Sequence, residues 1–198
     1  MATTTPLSGV QFGRATLTAV TGGLFGQPVE AVVLGANQRG LFGLSVATAL
    51  RDLGGPQIER EATTRAPLEI GSVLTTDAYG LRQHGVQAVL HAVVSPSLGQ
   101  PARRHDARRA LLSVLATVEE RGYRSVAMPL LGADAVDRGE LSQEAMIREM
   151  VDLVVGCLRR GAPRLRTIVV VTRFADQAEQ VSKVARSARE RSWRQESA

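Results

Sequence analysis

The chain has one cysteine, one tryptophan and one lysine in 198 residues, and aromatic residues make up only 4% of it. A lone cysteine excludes an intrachain disulfide framework. Beside three histidines it leaves no metal-ligand cluster, so no metal and no cofactor is implied. Cys157 lies in the apolar helical run MVDLVVGCLRR and reads as a small core residue. With so few aromatics the core must rest on Val, Leu, Ile and Ala. No apolar run reaches the length of a membrane span, and the N-terminus shows no signal-peptide pattern. The chain therefore reads as cytoplasmic, without a membrane partner. Internal repeats and low-complexity tracts are also missing.

What is present fits one domain over residues 1–198, with a core drawn from the 44% of residues that are hydrophobic. Residues 1–14 read as a lead-in segment and 183–198 as the basic end of a terminal helix. The formal charge of +5 is unevenly placed. Residues 1–100 carry six arginines and six acids, so the whole excess falls in 101–198, with 18 basic and 13 acidic residues. Most of these arginines fall among acids on helices, as in EERGYR and RQES. A solvated helical surface accounts for them, so the charge permits a nucleic-acid partner without favouring one.

Apolar patterning predicts strands at Thr16–Val20, Ala31–Leu34, Glu69–Asp77, Val86–Val94, Ser125–Leu130 and Leu165–Thr172. Helices are predicted from about Ser45 to Gly54, along QIEREATTR, from Arg104 to Arg121, from Leu141 to Arg160 with Ser142 as N-cap, and from Phe174 to about Arg194. Residues 131–139 (LGADAVDRG) read as a loop. Continuously apolar strands alternating with helices imply a sheet covered on both faces, a three-layer α/β/α sandwich. The early strands have no helix between them, so the sheet should be mixed.

The richest stretch is VEAVVLGANQRGLFGLSVATALRDL, from Val29 to Leu53. A buried strand runs into a turn carrying Asn37, then a loop with Gly40 and Gly43, then a helix. That layout presents backbone N–H groups to an anionic, usually phosphate-bearing, ligand. At this sharp turn Asn37 reads as a left-handed or loop-capping residue. Ser45 reads as a helix N-cap that can still face an anion. His91, alternating with apolar neighbours on a central strand, reads as a core histidine; His84 and His105 carry no assigned role. Asp134 and Asp137 follow a buried strand, where α/β sheets place their sites. They read as a solvated turn or as acceptors for a ligand's amine or hydroxyls.

In this order the motifs resemble the macro domain, an ADP-ribose-binding α/β/α module. Its strand ending in Asn-Ala-Ala-Asn is matched by Leu34-Gly35-Ala36-Asn37, and its Gly-x-Ala-x-x-Thr strand by Gly71–Thr76. The Gly-Tyr-x-Leu turn is matched by Ala78–Leu81. Its Val-Ile-His-x-Val-Gly-Pro strand corresponds to Val89–Pro96, and its Phe-Pro-x-Leu-Gly-Thr-Gly loop to Met128–Asp134. The resemblance covers residues 15–180.

It implies a small-molecule nucleotide ligand, ADP-ribose or a derivative, held by Ala36, Asn37, Gly43, Leu44, Ser45 and Val46 in the first loop. Gly132, Ala133, Asp134, Ala135 and Val136 would serve in the second, with Phe174 covering the base. Three departures accompany it. Gly22-Gly23 stands where the family carries an Asp for the adenine amino group, a contact worth roughly 1.5–3 kcal/mol. Ala47 stands where hydrolase members place an acid. Asp134 replaces phosphate-contacting glycine in the second loop. Hydrolysis of an ADP-ribosyl bond therefore stays open beside binding, with Asn37, Asp134 and Asp137 as its candidates. A third reading is a scaffold that has become a protein- or nucleic-acid-interaction subunit.

Overall fold

The computed structural model of the chain describes residues 8–137, 139–160 and 164–196, and the side chains of all of these except 44, 45, 47, 134, 135 and 192–196. The strands are β1 (Val10–Phe12), β2 (Ala15–Thr21), β3 (Ala31–Asn37), β4 (Val73–Asp77), β5 (Ala88–Ser95), β6 (Ser125–Pro129) and β7 (Thr167–Thr172). They form one sheet in the order β1-β2-β7-β6-β3-β5-β4. The five central strands run parallel, and β1 and β4 are antiparallel at the two edges. The mixed sheet inferred from sequence is present.

The helices are α1 (Leu44–Leu53), α2 (Gln57–Thr64), α3 (Arg104–Arg121), α4 (Ala133–Asp137), α5 (Gln143–Arg159) and α6 (Ala175–Glu196). Those supplying Val114, Ile147 and Val181 (α3, α5, α6) cover one face of the sheet. The other face is covered by α1 and α2 through Leu50, Ile58 and Ala62. Burial from both sides explains why every residue of β5 (AVLHAVVS) is buried and why the strands read as unbroken apolar runs. The core is Val, Leu, Ile, Ala and Met with three phenylalanines, Phe12 on β1 and Phe25 and Phe42 in connections, as the scarcity of aromatics requires.

Local chemistry sets the boundaries. The α5 helix opens at Ser142, whose Oγ accepts from the Ala145 N–H at 3.2 Å. The α3 helix stops at Gly122, in the left-handed region at φ 74°. Three expectations are corrected. The strand expected over Glu69–Asp77 begins only at Val73, because the chain turns first, with the Ser72 N–H on the Glu69 carbonyl. The loop over residues 131–139 contains the short helix α4. Val10–Phe12, inside the expected lead-in, forms an edge strand on β2; residues 1–7 lie outside the described part.

Candidate functional site

The chain leaves β3 toward one face of the sheet, to α1, and leaves the adjacent β5 toward the other, to α3. Two neighbouring parallel strands whose connections part in this way leave a crevice at their carboxyl ends, the usual ligand position in such sheets. A cleft of about 340 Å³ lies there. Gly35 and Ala36 floor it on β3, and Asn37, Leu41 and Gly43 line it from the β3–α1 loop. Ser95, Leu98 and Gln100 face them from the β5–α3 loop, and Asp137 enters from the end of α4. The register of β3 and β5 shifts between Ala36 and Asn37, so that Asn37 pairs with Ser95 at the cleft floor.

Asn37 is 4% exposed and its amide makes three hydrogen bonds to its own loop. Oδ1 accepts from the N–H groups of Arg39 (3.0 Å) and Leu41 (3.4 Å), and Nδ2 donates to the Leu41 carbonyl at 2.7 Å. The side chain therefore ties down the loop that follows it, and its second Nδ2 N–H is left over from these three bonds. Gly40 lets that loop lie flat on α2: its φ is 66°, and an added Cβ would stand 2.8 Å from the Ala62 carbonyl carbon. Further along the loop, Phe42 is buried and stacks on His91 at 5.5 Å between ring centroids, while its N–H donates to Glu59 Oε1 at 3.3 Å.

The loop ends at Gly43, which is itself the N-cap of α1, in place of the expected Ser45. As a glycine, Gly43 brings no capping side chain of its own, and the first turn holds no acid. Space is open above Gly43, where an added Cβ would meet nothing within 4 Å. The positive end of α1 thus opens beside the cleft at Gly43, where its N-terminal N–H groups point.

His91 is fully buried under Phe42. Its Nε2 lies 2.9 Å from Thr76 Oγ1, and Nδ1 has no partner. Burial lowers its pKa from 6.5 to about 4, so the ring is neutral at pH 7. It belongs to the core, as its alternation with apolar residues implied.

The remaining expected residues divide. Ala36, Asn37, Gly43 and Asp137 come together in the cleft. Val46 packs half-buried against the core under α1, and Val136 against that under α5. Gly132 serves packing: at φ 92°, an added Cβ would meet the Ala107 Cβ at 3.1 Å. Ala133 is exposed at the start of α4. Phe174 is 61% exposed immediately after β7, at the same sheet edge but outside the cleft lining. The side chains of Leu44, Ser45, Ala47, Asp134 and Ala135 lie outside the described part. Leu41, Ser95, Leu98 and Gln100 were not anticipated. Their only signal was position, a loop directly after a fully apolar strand. Among the described residues, no three His, Cys, Asp or Glu groups are placed to hold a metal ion, and no helix is long and apolar enough to cross a membrane.

A family model described as Macro domain matches residues 33–138. An uncharacterized protein of Aquifex aeolicus is 30% identical over 166 residues, spanning 83% of this chain and 94% of that one. Another, from Aeropyrum pernix, is 32% identical over 179 residues, or 89% and 88% of the two chains. Among solved structures, the Oceanobacillus iheyensis macrodomain with ADP superposes with a TM-score of 0.78 at 14% identity, covering 96% of this chain and all of that one. The Trypanosoma brucei macrodomain in complex with ADP-ribose gives 0.69 at 22% identity, covering 84% and 68%.

Proposed function

The chain belongs to the Macro domain family, and from that premise we propose that it binds ADP-ribose or a related nucleotide derivative in the cleft where β3 and β5 end. One observation carries the reading: the N-terminus of α1 opens through Gly43 onto that cleft. A diphosphate there would meet backbone N–H donors and the positive end of the helix. The Asn37 amide holds the loop that aims those donors, and it acts on the ligand through that loop. Asp137 is an acceptor on the opposite wall, suited to the vicinal hydroxyls of a ribose. Exposed Phe174 at the same edge offers a stacking surface for a base. Gly22-Gly23, at the end of β2 on this edge, offers no carboxylate for an adenine amino group, which points to a base held by stacking and shape.

Calorimetry with ADP-ribose, ADP and AMP tests this. Binding is expected to be tightest for ADP-ribose. Phe174→Ala should weaken it by about 1–3 kcal/mol, the value of one base–aromatic stack. Asn37→Ala should weaken it more than tenfold and also lower stability by about 1–3 kcal/mol, because three loop hydrogen bonds lose their partner. Absence of heat with all three ligands would overturn the proposal.

Asp137 also supports a hydrolytic reading. Of the three catalytic candidates, Asn37 is tied into its loop and the side chain of Asp134 lies outside the described part. Among the described residues, Asp137 is the carboxylate that lines the cleft. It could take the proton from a water attacking the anomeric carbon as the ADP-ribosyl bond breaks toward its leaving oxygen. Turnover of an ADP-ribosylated protein that Asp137→Asn abolishes, with ADP-ribose still bound, would establish that reading. No turnover by the unaltered chain would remove it.

A further inference from the structure

The sheet has a second end, and the arginines gather there. Arg124 and Arg166 immediately precede β6 and β7, which pair in parallel with Ser125 opposite Thr167. The Arg166 N–H donates to the Arg124 carbonyl at 2.7 Å, so the two are cross-strand neighbours. Arg14, in the turn before β2, stands on the next strand, where the Thr16 N–H donates to the Arg166 carbonyl at 2.8 Å. Arg164 reaches across to the connection from α3 to β6: its Nη1 would lie 2.6 Å from a Cβ placed on Gly122. Arg121 ends α3 and Arg160 follows α5 on the same side of the sheet.

This clustering has a cost. Adjacent strands lie about 4.8 Å apart, and like charges directly opposite one another are destabilising. Arg121 gains from the negative end of its own helix, but Arg14, Arg124, Arg164 and Arg166 start or precede strands and have no such compensation. Three acids share this edge and offset part of its charge, but none forms an ion pair with these arginines. Glu30 gives one carboxylate oxygen to the Arg124 backbone N–H. Glu119 has an oxygen buried without a partner, and Glu120 is exposed in the last turn of α3. Among the described residues, ion pairs engage Arg51, Arg65, Arg82, Arg104, Arg108, Arg109, Arg148 and Arg191, and none of the six arginines of this edge.

We propose that this edge, where the parallel strands begin, binds the phosphate backbone of a single-stranded nucleic acid, independently of the nucleotide cleft at the opposite edge. Guanidinium groups meet phosphate oxygens in bidentate pairs, which suits an all-arginine surface. Half-buried Tyr123, between Arg121 and Arg124, adds an aromatic edge within the cluster. A lipid headgroup surface is disfavoured, because the exposed large apolar side chains (Leu41, Leu53, Tyr79, Leu98, Leu112 and Phe174) all lie off the three connections that carry these arginines.

Fluorescence anisotropy with a labelled single-stranded oligonucleotide tests the proposal. Four phosphates neutralised predict a slope of about −3 in log affinity against log salt, or roughly fiftyfold weaker binding from about 50 to 200 mM. Replacing Arg14, Arg124, Arg164 and Arg166 by Gln should cost at least tenfold and flatten the slope. A variant with Arg51, Arg60, Arg65 and Arg186 replaced by Gln has the same net charge and should stay within threefold of the unaltered chain. Both variants should keep their affinity for ADP-ribose, so failure here is distinct from failure at the cleft. Arg124→Gln and Arg166→Gln, measured singly with their melting curves, give the same test should the fourfold variant fold poorly. No oligonucleotide binding at low salt would overturn the proposal, as would equal loss in both fourfold variants. Binding to phosphatidylserine vesicles in place of the oligonucleotide would reassign the edge to a membrane surface.

Discussion

His91 shows how one residue can be legible in kind and still carry an unforeseen consequence. Its alternation with apolar neighbours marked it as core, and it is fully buried. Its facing groups are Thr76 and Phe42, neither of which titrates below pH 7. Because burial lowers the folded pKa to about 4 from 6.5, the unfolded chain binds a proton between those values that the folded chain refuses. Stability therefore rises with pH across that window; it is fully present above about pH 6.5 and lost as pH falls toward 4. The loss is about 3 kcal/mol, each tenfold change in proton affinity being worth about 1.36 kcal/mol. Urea unfolding at pH 7 and pH 4, compared between the unaltered chain and His91→Leu, isolates it, because carboxylate effects are common to both. The acid-induced loss should be smaller in the variant by about that amount. An identical loss in both would show that the ring is not held neutral by burial.

At the scale of elements, the β3–α1 loop links fold to site. Asn37 braces it from within, Gly40 lets it lie on α2, Phe42 pins it to His91, and Gly43 delivers it to the start of α1. Gly40→Ala places a Cβ in the left-handed region and within 2.8 Å of the Ala62 backbone. It should cost about 2 kcal/mol in urea unfolding and weaken ADP-ribose binding with it, since the loop must lift off α2. Loss of stability with full binding would show that loop and cleft are uncoupled. Elements with strong local signals were legible to within a residue or so. The α3 helix runs from Arg104 to Arg121 as its apolar period and Gly122 dictated, and Ser142 caps α5 as its position implied. Elements specified by partners were not. The three residues of β1 are a strand only because β2 pairs with them, and α4 is too short to show a period. The cleft was half legible for the same reason. Asn37 and Gly43 stand in a recognisable strand–loop–helix, whereas Ser95, Leu98 and Gln100 become neighbours of that loop only through the β3–β5 pairing.

Across the whole molecule, the parallel sheet separates two chemistries. Its carboxyl edge holds the cleft proposed for the nucleotide, and its amino edge gathers arginines that the sequence had spread over residues 14–166. That gathering explains why the charge read as a solvated surface: EERGYR is a helix end beside a strand start, and only topology brings Arg166 beside Arg124. The seven residues of β3 span about 20 Å between the two edges, more than twice the Debye length of about 8 Å at physiological salt. Charge at one edge is therefore screened from the other, and substitutions that far apart should add within about 0.5 kcal/mol. Saturating ADP-ribose should raise the unfolding free energy by about 2.7 kcal/mol at a hundredfold excess over Kd. The same increment is expected when Arg14, Arg124, Arg164 and Arg166 are replaced by Gln. Titrating ADP-ribose with and without saturating oligonucleotide checks this directly. Affinities should agree within threefold, and a tenfold difference would mean that the sheet transmits a conformational change between its two edges.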